Sequence, residues 1–217
     1  MKALNGKIVV ITGGAAGIGR EMALAFSREK AHLVLLDIDP DQLEATVAEL
    51  TRHKALASGY RCDVSNSEEV ARVAARILED FDHVDVLVNN AGIVIGKPAA
   101  EVSYEELRRI VDINMLGVMW MTRQFLGEMM TRNSGHIVNI ASAGGLLAVP
   151  VLADYSATKF AVVGYSDALR MEMKKFDCRG VKISCICPSV IDTGMFEGFT
   201  PPLLNPWLRP DDVARKV

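Results

Sequence analysis

The sequence predicts an α/β protein: a doubly wound parallel sheet with helices on both faces, in one domain. Three observations carry this. Short apolar runs rich in β-formers alternate with segments of helical period, five times over. Several of the runs, "KIVVIT" and "VDVLVN" among them, are continuously apolar, as parallel strands covered on both faces are. A glycine-rich turn, "TGGAAGIGR", joins the first run to the first helical segment.

Bulk properties narrow the field. The chain has 217 residues, half of them hydrophobic, enough for one domain over 1–217 with an ample core. Net charge is −3 and no basic block occurs, which argues against a nucleic-acid partner. The four cysteines form no C-x-x-C pair and the four histidines are scattered. They read as core thiols in a reducing compartment, hence a cytoplasmic protein without a metal site. The start, "MKALNGKIVVITGG", runs into a glycine loop rather than a cleavage site, so no signal peptide is expected. Residues 137–153 carry no charge, but Asn139, Ser142, Gly144-Gly145 and Pro150 argue against a membrane helix there.

The strands are read at 7–12, 32–37, 58–63, 84–89, 135–142 and 180–188. Helices are read near 17–30, 40–53, 66–81, 103–132 and 154–177. In such sheets ligands sit beyond the carboxyl ends of the strands, so the residues closing each run are the candidates. After the first run, Gly13, Gly17 and Gly19 turn the chain into a helix. Their small size lets backbone N–H groups approach a pyrophosphate at a helix N-terminus. The spacing is G-x-x-x-G-x-G, so the loop should be slightly longer than in G-x-G-x-x-G.

The second run ends in Asp37, about 20 residues beyond the loop, where a carboxylate can accept both ribose hydroxyls of an adenosine and repel a 2′-phosphate. Ala16 offers no cation, so NAD(H) is favoured over NADP(H). Asp39 and Asp41 are better placed than Asp37 to cap the next helix. Asp63, ending the third run, reads as an adenine contact or, almost as well, as turn chemistry. Asn89-Asn90-Ala91-Gly92 ends the fourth; the asparagines can tie down a neighbouring turn, and Gly92 lets a cofactor lie close.

The helix read near 103–132 shows a stripe of Leu107, Val111, Asn114, Val118, Met121 and Phe125. Its one polar member, Asn114, is costly to bury unless satisfied. It pins a loop, bends the helix or holds a water. The next run ends in Ser142, thirteen residues before Tyr155. The last helix sets Tyr155 and Lys159 four residues apart, on a face continued by Val162, Ser166, Leu169 and Met173. The plain reading of Lys159 is snorkelling; the chemical one is a cation beside a phenol, which favours phenolate.

Together these residues resemble the short-chain dehydrogenase/reductase family, from about residue 5 to the end. The matching motifs are TG-x-x-x-G-x-G from Thr12 to Gly19, Asp37, Asp63-Val64, N-N-A-G at 89–92 and Asn114. Ser142, Y-x-x-x-K at Tyr155 and Lys159, and the Pro188 segment leading to Thr193 complete the set. Pro188-Ser189 stands where the family has Pro-Gly.

The resemblance implies a Rossmann-type fold and an NAD(H)-dependent alcohol–carbonyl oxidoreductase. Tyr155 would be the general acid/base, with a pKa lowered by Lys159 and by a positive nicotinamide ring. Lys159 would also hold the nicotinamide ribose, Ser142 the substrate oxygen, and Asn114 a water that relays the proton. The implied cofactor residues are Gly13, Ala16, Gly17, Ile18, Gly19, Asp37, Ile38, Asp63, Val64, Asn90, Ala91, Gly92, Tyr155, Lys159, Pro188, Val190 and Thr193.

A narrower resemblance, in "IDTGMFEGFTPP" and "LRPDDVARKV", is to retinol and hydroxysteroid dehydrogenases. It implies a lipophilic alcohol or ketone and a substrate lid at about 190–210, with apolar Met195, Phe196 and Phe199. It also implies a homo-oligomer, dimer or tetramer. Against the family pattern, a C-terminal helix and last strand are expected to be missing, and no N-terminal membrane anchor is expected. The competing reading is a non-catalytic NAD(H) sensor or scaffold of the same fold.

Overall fold

The structure is a computed structural model and describes residues 4–191 and 208–217. Its centre is a six-stranded, wholly parallel sheet: β1 (Ile8–Thr12), β2 (His32–Asp37), β3 (Leu56–Arg61), β4 (Val86–Asn89), β5 (Gly135–Ile140) and β6 (Val181–Ile186). Their spatial order is β3-β2-β1-β4-β5-β6. The chain winds outward from β1 to β3, then crosses back to place β4 on the other side of β1. That reversal opens a crevice at the carboxyl ends of β1 and β4.

Strand periodicity sends alternate side chains to opposite faces. Val10, Val34, Leu87 and Ile137 face one layer, built by α3 (Ser67–Phe81), α5 (Gly117–Arg132) and α6 (Ala153–Lys175). Val9, Ile11, Leu33, Val88 and Val138 face the other, built by α1 (Gly17–Arg28), α2 (Pro40–Arg52) and α7 (Pro210–Ala214). Both faces are covered, which is why the runs are continuously apolar.

Local chemistry sets the helix starts. Asp39 accepts from the backbone N–H of Asp41 and Gln42, with Pro40 at the first helical position. Asn66 caps α3 in the same way. Ser103 and Glu106 form a reciprocal capping box on α4 (Tyr104–Val111).

The long helix expected over 103–132 is interrupted. Between α4 and α5 lies a π-helical turn, Asp112–Leu116, with Asn114 at its middle. The wider turn shifts the phase of the apolar stripe. Asn114, Val118, Met121 and Phe125 are buried as expected, but Leu107 is 44 % exposed and Ile110 takes the inward position. β5 also stops at Ile140 rather than 142, because Ala143–Gly145 coils into a short 3₁₀ turn capped by Ser142.

Candidate active site

A cleft of about 580 Å³ lies over the carboxyl ends of the strands. It gathers most of the residues singled out in the sequence. Gly13, Ala16, Gly17 and Ile18 line it from the first loop, and Asp37, Ile38, Asp63 and Val64 from the second and third strand ends. Asn90, Ala91, Gly92, Ser142, Tyr155, Lys159 and Pro188 complete the wall. Gly19 and Asn114 support the wall without lining it, and Val190 does not line it. Thr193 and the apolar residues Met195, Phe196 and Phe199 lie outside the described residues.

The glycine loop is built for close approach. Gly13 and Gly17 have φ of 62° and 51°, a region that favours glycine. A Cβ on Gly19 would stand 1.9 Å from the Gly13 carbonyl oxygen. Asn90 clamps the loop from β4, its amide donating to the carbonyls of Thr12 and Gly13, both at 3.0 Å. Thr12 returns the contact by accepting from the N–H of Asn90 and Ala91. The start of α1 has no side-chain cap, so its first N–H groups are left for an anion. These features fit a dinucleotide pyrophosphate.

Asp37 is held before any ligand meets it. Oδ2 accepts from the Ala15 N–H at 3.0 Å and Oδ1 from the Asp39 N–H at 3.2 Å. Each oxygen keeps lone-pair capacity toward the cleft. Asp63 does the turn chemistry, accepting from the Ser65 N–H and hydroxyl, while still lining the cleft. The nearby Arg20 is paired with Glu49, at 3.0 and 2.7 Å.

At the other end, the face of α6 predicted from spacing is buried throughout, from Tyr155 to Met173. Lys159 is only 4 % exposed. Its ammonium donates to the Ile140 carbonyl at 2.9 Å and lies 5.5 Å from the centre of the Tyr155 ring. Snorkelling is therefore ruled out. Burial pulls the Lys159 pKa down to about 8. Tyr155 shares a hydrogen bond with the Ser142 hydroxyl, which favours its phenolate, but burial is stronger and the net direction is upward. The lowering expected from Lys159 and a positive nicotinamide ring belongs to the two together; here burial raises the phenol and the Ser142 bond opposes it.

Asn114 has 0 % exposure and is satisfied through backbone. It accepts from the Ile93 N–H at 2.8 Å and donates to the Ile93 carbonyl at 2.9 Å. It therefore pins the strand-end loop that follows Gly92. A Cβ on Gly92 would stand 3.3 Å from the Asn114 oxygen and 3.6 Å from the Lys159 nitrogen.

Sequence reasoning missed several residues. Ile93, Val94, Arg109 and Ile113 also line the cleft. Arg109 and Ile113 stand four apart, a helical spacing that could have shown them. A buried polar chain also escaped notice: Asn89 donates to Asn139 at 2.8 Å, and Asn139 to Ser166 at 2.9 Å. Asn89 ends β4 and Asn139 stands one residue before the end of β5, and only the β4–β5 register brings them together.

A doubly wound sheet with a glycine loop at its switch point and a Ser–Tyr–Lys group across the cleft defines a nucleotide-dependent oxidoreductase class. The short chain dehydrogenase family model matches residues 7–202, and the chain belongs to that family. Curated relatives include retinol and 17-beta-hydroxysteroid dehydrogenases. Epidermal retinol dehydrogenase 2 of Mus musculus is 39 % identical over 220 residues, covering 100 % of this chain and 71 % of its own. A solved short chain dehydrogenase/reductase from Burkholderia phymatum, in complex with NAD, superposes with a TM-score of 0.91. It is 32 % identical and covers 99 % of this chain and 85 % of its own. An alcohol dehydrogenase from the archaeon Thermococcus sibiricus, complexed with 5-hydroxy-NADP, has a TM-score of 0.85 at 29 % identity. That match covers 97 % of this chain and 88 % of the other.

Proposed function

We propose that the chain interconverts an alcohol and a carbonyl with NAD(H), Tyr155 acting as general acid/base. The observation that carries this is the grouping of Ser142, Tyr155 and Lys159 on one wall of the cleft whose other end holds Asp37. The bound nicotinamide supplies or accepts the hydride. The chain's own residues do the rest. Gly13, Ala16, Gly17, Ile18 and Gly92 let the dinucleotide lie close, with Asn90 and Ala91 fixing the loop. Lys159 holds the ribose, and Pro188, Val190 and Thr193 the nicotinamide end. The Ser142 hydroxyl orients the substrate oxygen and stabilises charge on it. Tyr155 gives its proton to that oxygen in reduction and takes it back in oxidation. A phenol whose pKa burial holds up keeps its proton until the reaction needs it, and the Lys159 ammonium would favour the phenolate when oxidation begins.

The preference for NAD(H) rests on Asp37 and on Arg20, which is committed to Glu49 and unavailable to a 2′-phosphate. The substrate we propose is lipophilic. Ile93 and Val94 line the cleft, and Leu146, Leu147 and Val151, which follow Ser142 in the chain, are 55, 74 and 51 % exposed. The retinol and hydroxysteroid relatives support this class. No described helix is long and apolar enough to cross a membrane. A homo-oligomer agrees with the exposed Phe160 and Met171 on α6, where Gly164 faces open space, and free thiols agree with a reducing, cytoplasmic compartment.

The test is nicotinamide absorbance during turnover of a panel of retinoid-like, steroid and simple secondary alcohols. Turnover with NAD on the lipophilic members supports the reading; a panel turned over only with NADP, or only on polar alcohols, would overturn its finer half.

A further inference from the structure

Cys185 lies in β6 and Cys187 just past its end, and both side chains pack on one apolar cluster. Their sulfurs are 3.9 Å apart. They pack against Val118, Ala141 and Val162, directly behind the wall that carries Ser142 and Lys159. Val162, in the same cluster, lies one turn of α6 beyond Lys159, and the Ser142 backbone amide reaches Cys187. Neither cysteine is fully buried. The proposed reaction uses neither.

We propose that Cys185 and Cys187 form a two-sulfur binding site for a trivalent organoarsenical, and that filling it weakens cofactor binding through Lys159.

The separation selects the ligand. A direct disulfide needs sulfurs at about 2.05 Å, an approach of nearly 2 Å. The strand cannot easily supply it, since β5 fixes Cys185 opposite Asn139. One soft atom bonded to both sulfurs at about 2.3 Å, the length of a zinc–thiolate bond, would span the present gap at roughly 115°, and side-chain rotation closing it by about half an ångström gives the smaller angle of pyramidal trivalent arsenic. Among the described residues no group of three or more His, Cys, Asp or Glu is placed to hold a metal ion. A centre that asks for four protein ligands is therefore poorly served, whereas an organoarsenical asks for two. In the reaction two S–H bonds break and two As–S bonds form. The arsenic oxygen leaves as water with both thiol protons; arsenic stays trivalent and no electrons move. The adduct adds bulk near Lys159, whose ammonium donates to the Ile140 carbonyl.

The site itself stands on the sulfur geometry; only its effect on the cofactor rests on the NAD(H) reading. The experiment treats the reduced protein with phenylarsine oxide and maps the thiols left open to N-ethylmaleimide. One arsenical per chain should protect Cys185 and Cys187 and leave Cys178 reactive. A dithiol should release it and an equal concentration of monothiol should not. NADH affinity, read by nicotinamide fluorescence, should fall by about tenfold or more in the adduct, roughly 1.4 kcal/mol. Cys185→Ser and Cys187→Ser should each bind NADH but lose the monothiol-resistant adduct. Protection of Cys178 instead, release by monothiol, or an adduct with undiminished NADH affinity would each overturn the proposal. Should the serine variants not fold, the alkylation map of the unmutated protein decides. Untreated protein that binds no NADH would count against the cofactor reading and leave the thiol map to judge the site.

Discussion

Asn114 holds both backbone groups of Ile93, at 2.8 and 2.9 Å, from inside a π-helical turn. The side chain stands in for a strand partner at the point where β4 has ended. A leucine at this position would fit the surrounding core but could pair with neither group. Asn114→Leu should therefore cost about 1–3 kcal/mol of stability, measured by urea unfolding. Turnover should fall further than NADH affinity, because the loop that moves carries Gly92 next to Lys159.

Lys159→Met should stabilise the cofactor-free protein while abolishing turnover. The folded pKa of Lys159 lies near 8, below its ordinary 10.5. Below pH 8 both folded and unfolded chains carry the proton, and the burial penalty is fully present. Between about pH 8 and 10.5 the unfolded chain keeps a proton that the folded one has released, so the unmutated protein gains stability as pH rises. The variant has no such window. Its advantage at pH 7, about 1–3 kcal/mol, should shrink across that range in thermal or chemical unfolding.

Gly19→Ala should disable the dinucleotide loop, since the new Cβ would fall 1.9 Å from the Gly13 carbonyl oxygen, which is backbone and cannot swing away. Loss of measurable NADH binding, with a lowered melting temperature, is the expected outcome. Near-normal binding would mean that the loop does not carry the pyrophosphate.

Asp37→Ser removes the charge that opposes a 2′-phosphate. The NAD-to-NADP ratio of kcat/KM should fall by at least about tenfold. The bonds to the N–H groups of Ala15 and Asp39 are weakened too, so some stability should go with it.

Much of this was legible before folding. The buried face of α6 from Tyr155 to Met173 follows from helical spacing alone, and the parallel sheet from runs apolar at every residue. What escaped depends on tertiary pairing. The stripe through Leu107 read as one continuous helix, because a π turn changes the phase without changing the residue types. Asn89 and Asn139 lie 50 residues apart and meet only through strand register. Burial of Tyr155 by the whole fold, which raises its pKa, has no signature in the four-residue spacing to Lys159.

The most direct test of the central claim is Tyr155→Phe, measured for NADH binding and for turnover of a substrate that the unmutated protein accepts. The substitution keeps the ring and removes the proton. Binding should persist, and turnover should drop by about 10²–10⁴-fold. Turnover at the unmutated rate would show that Tyr155 is not the acid/base.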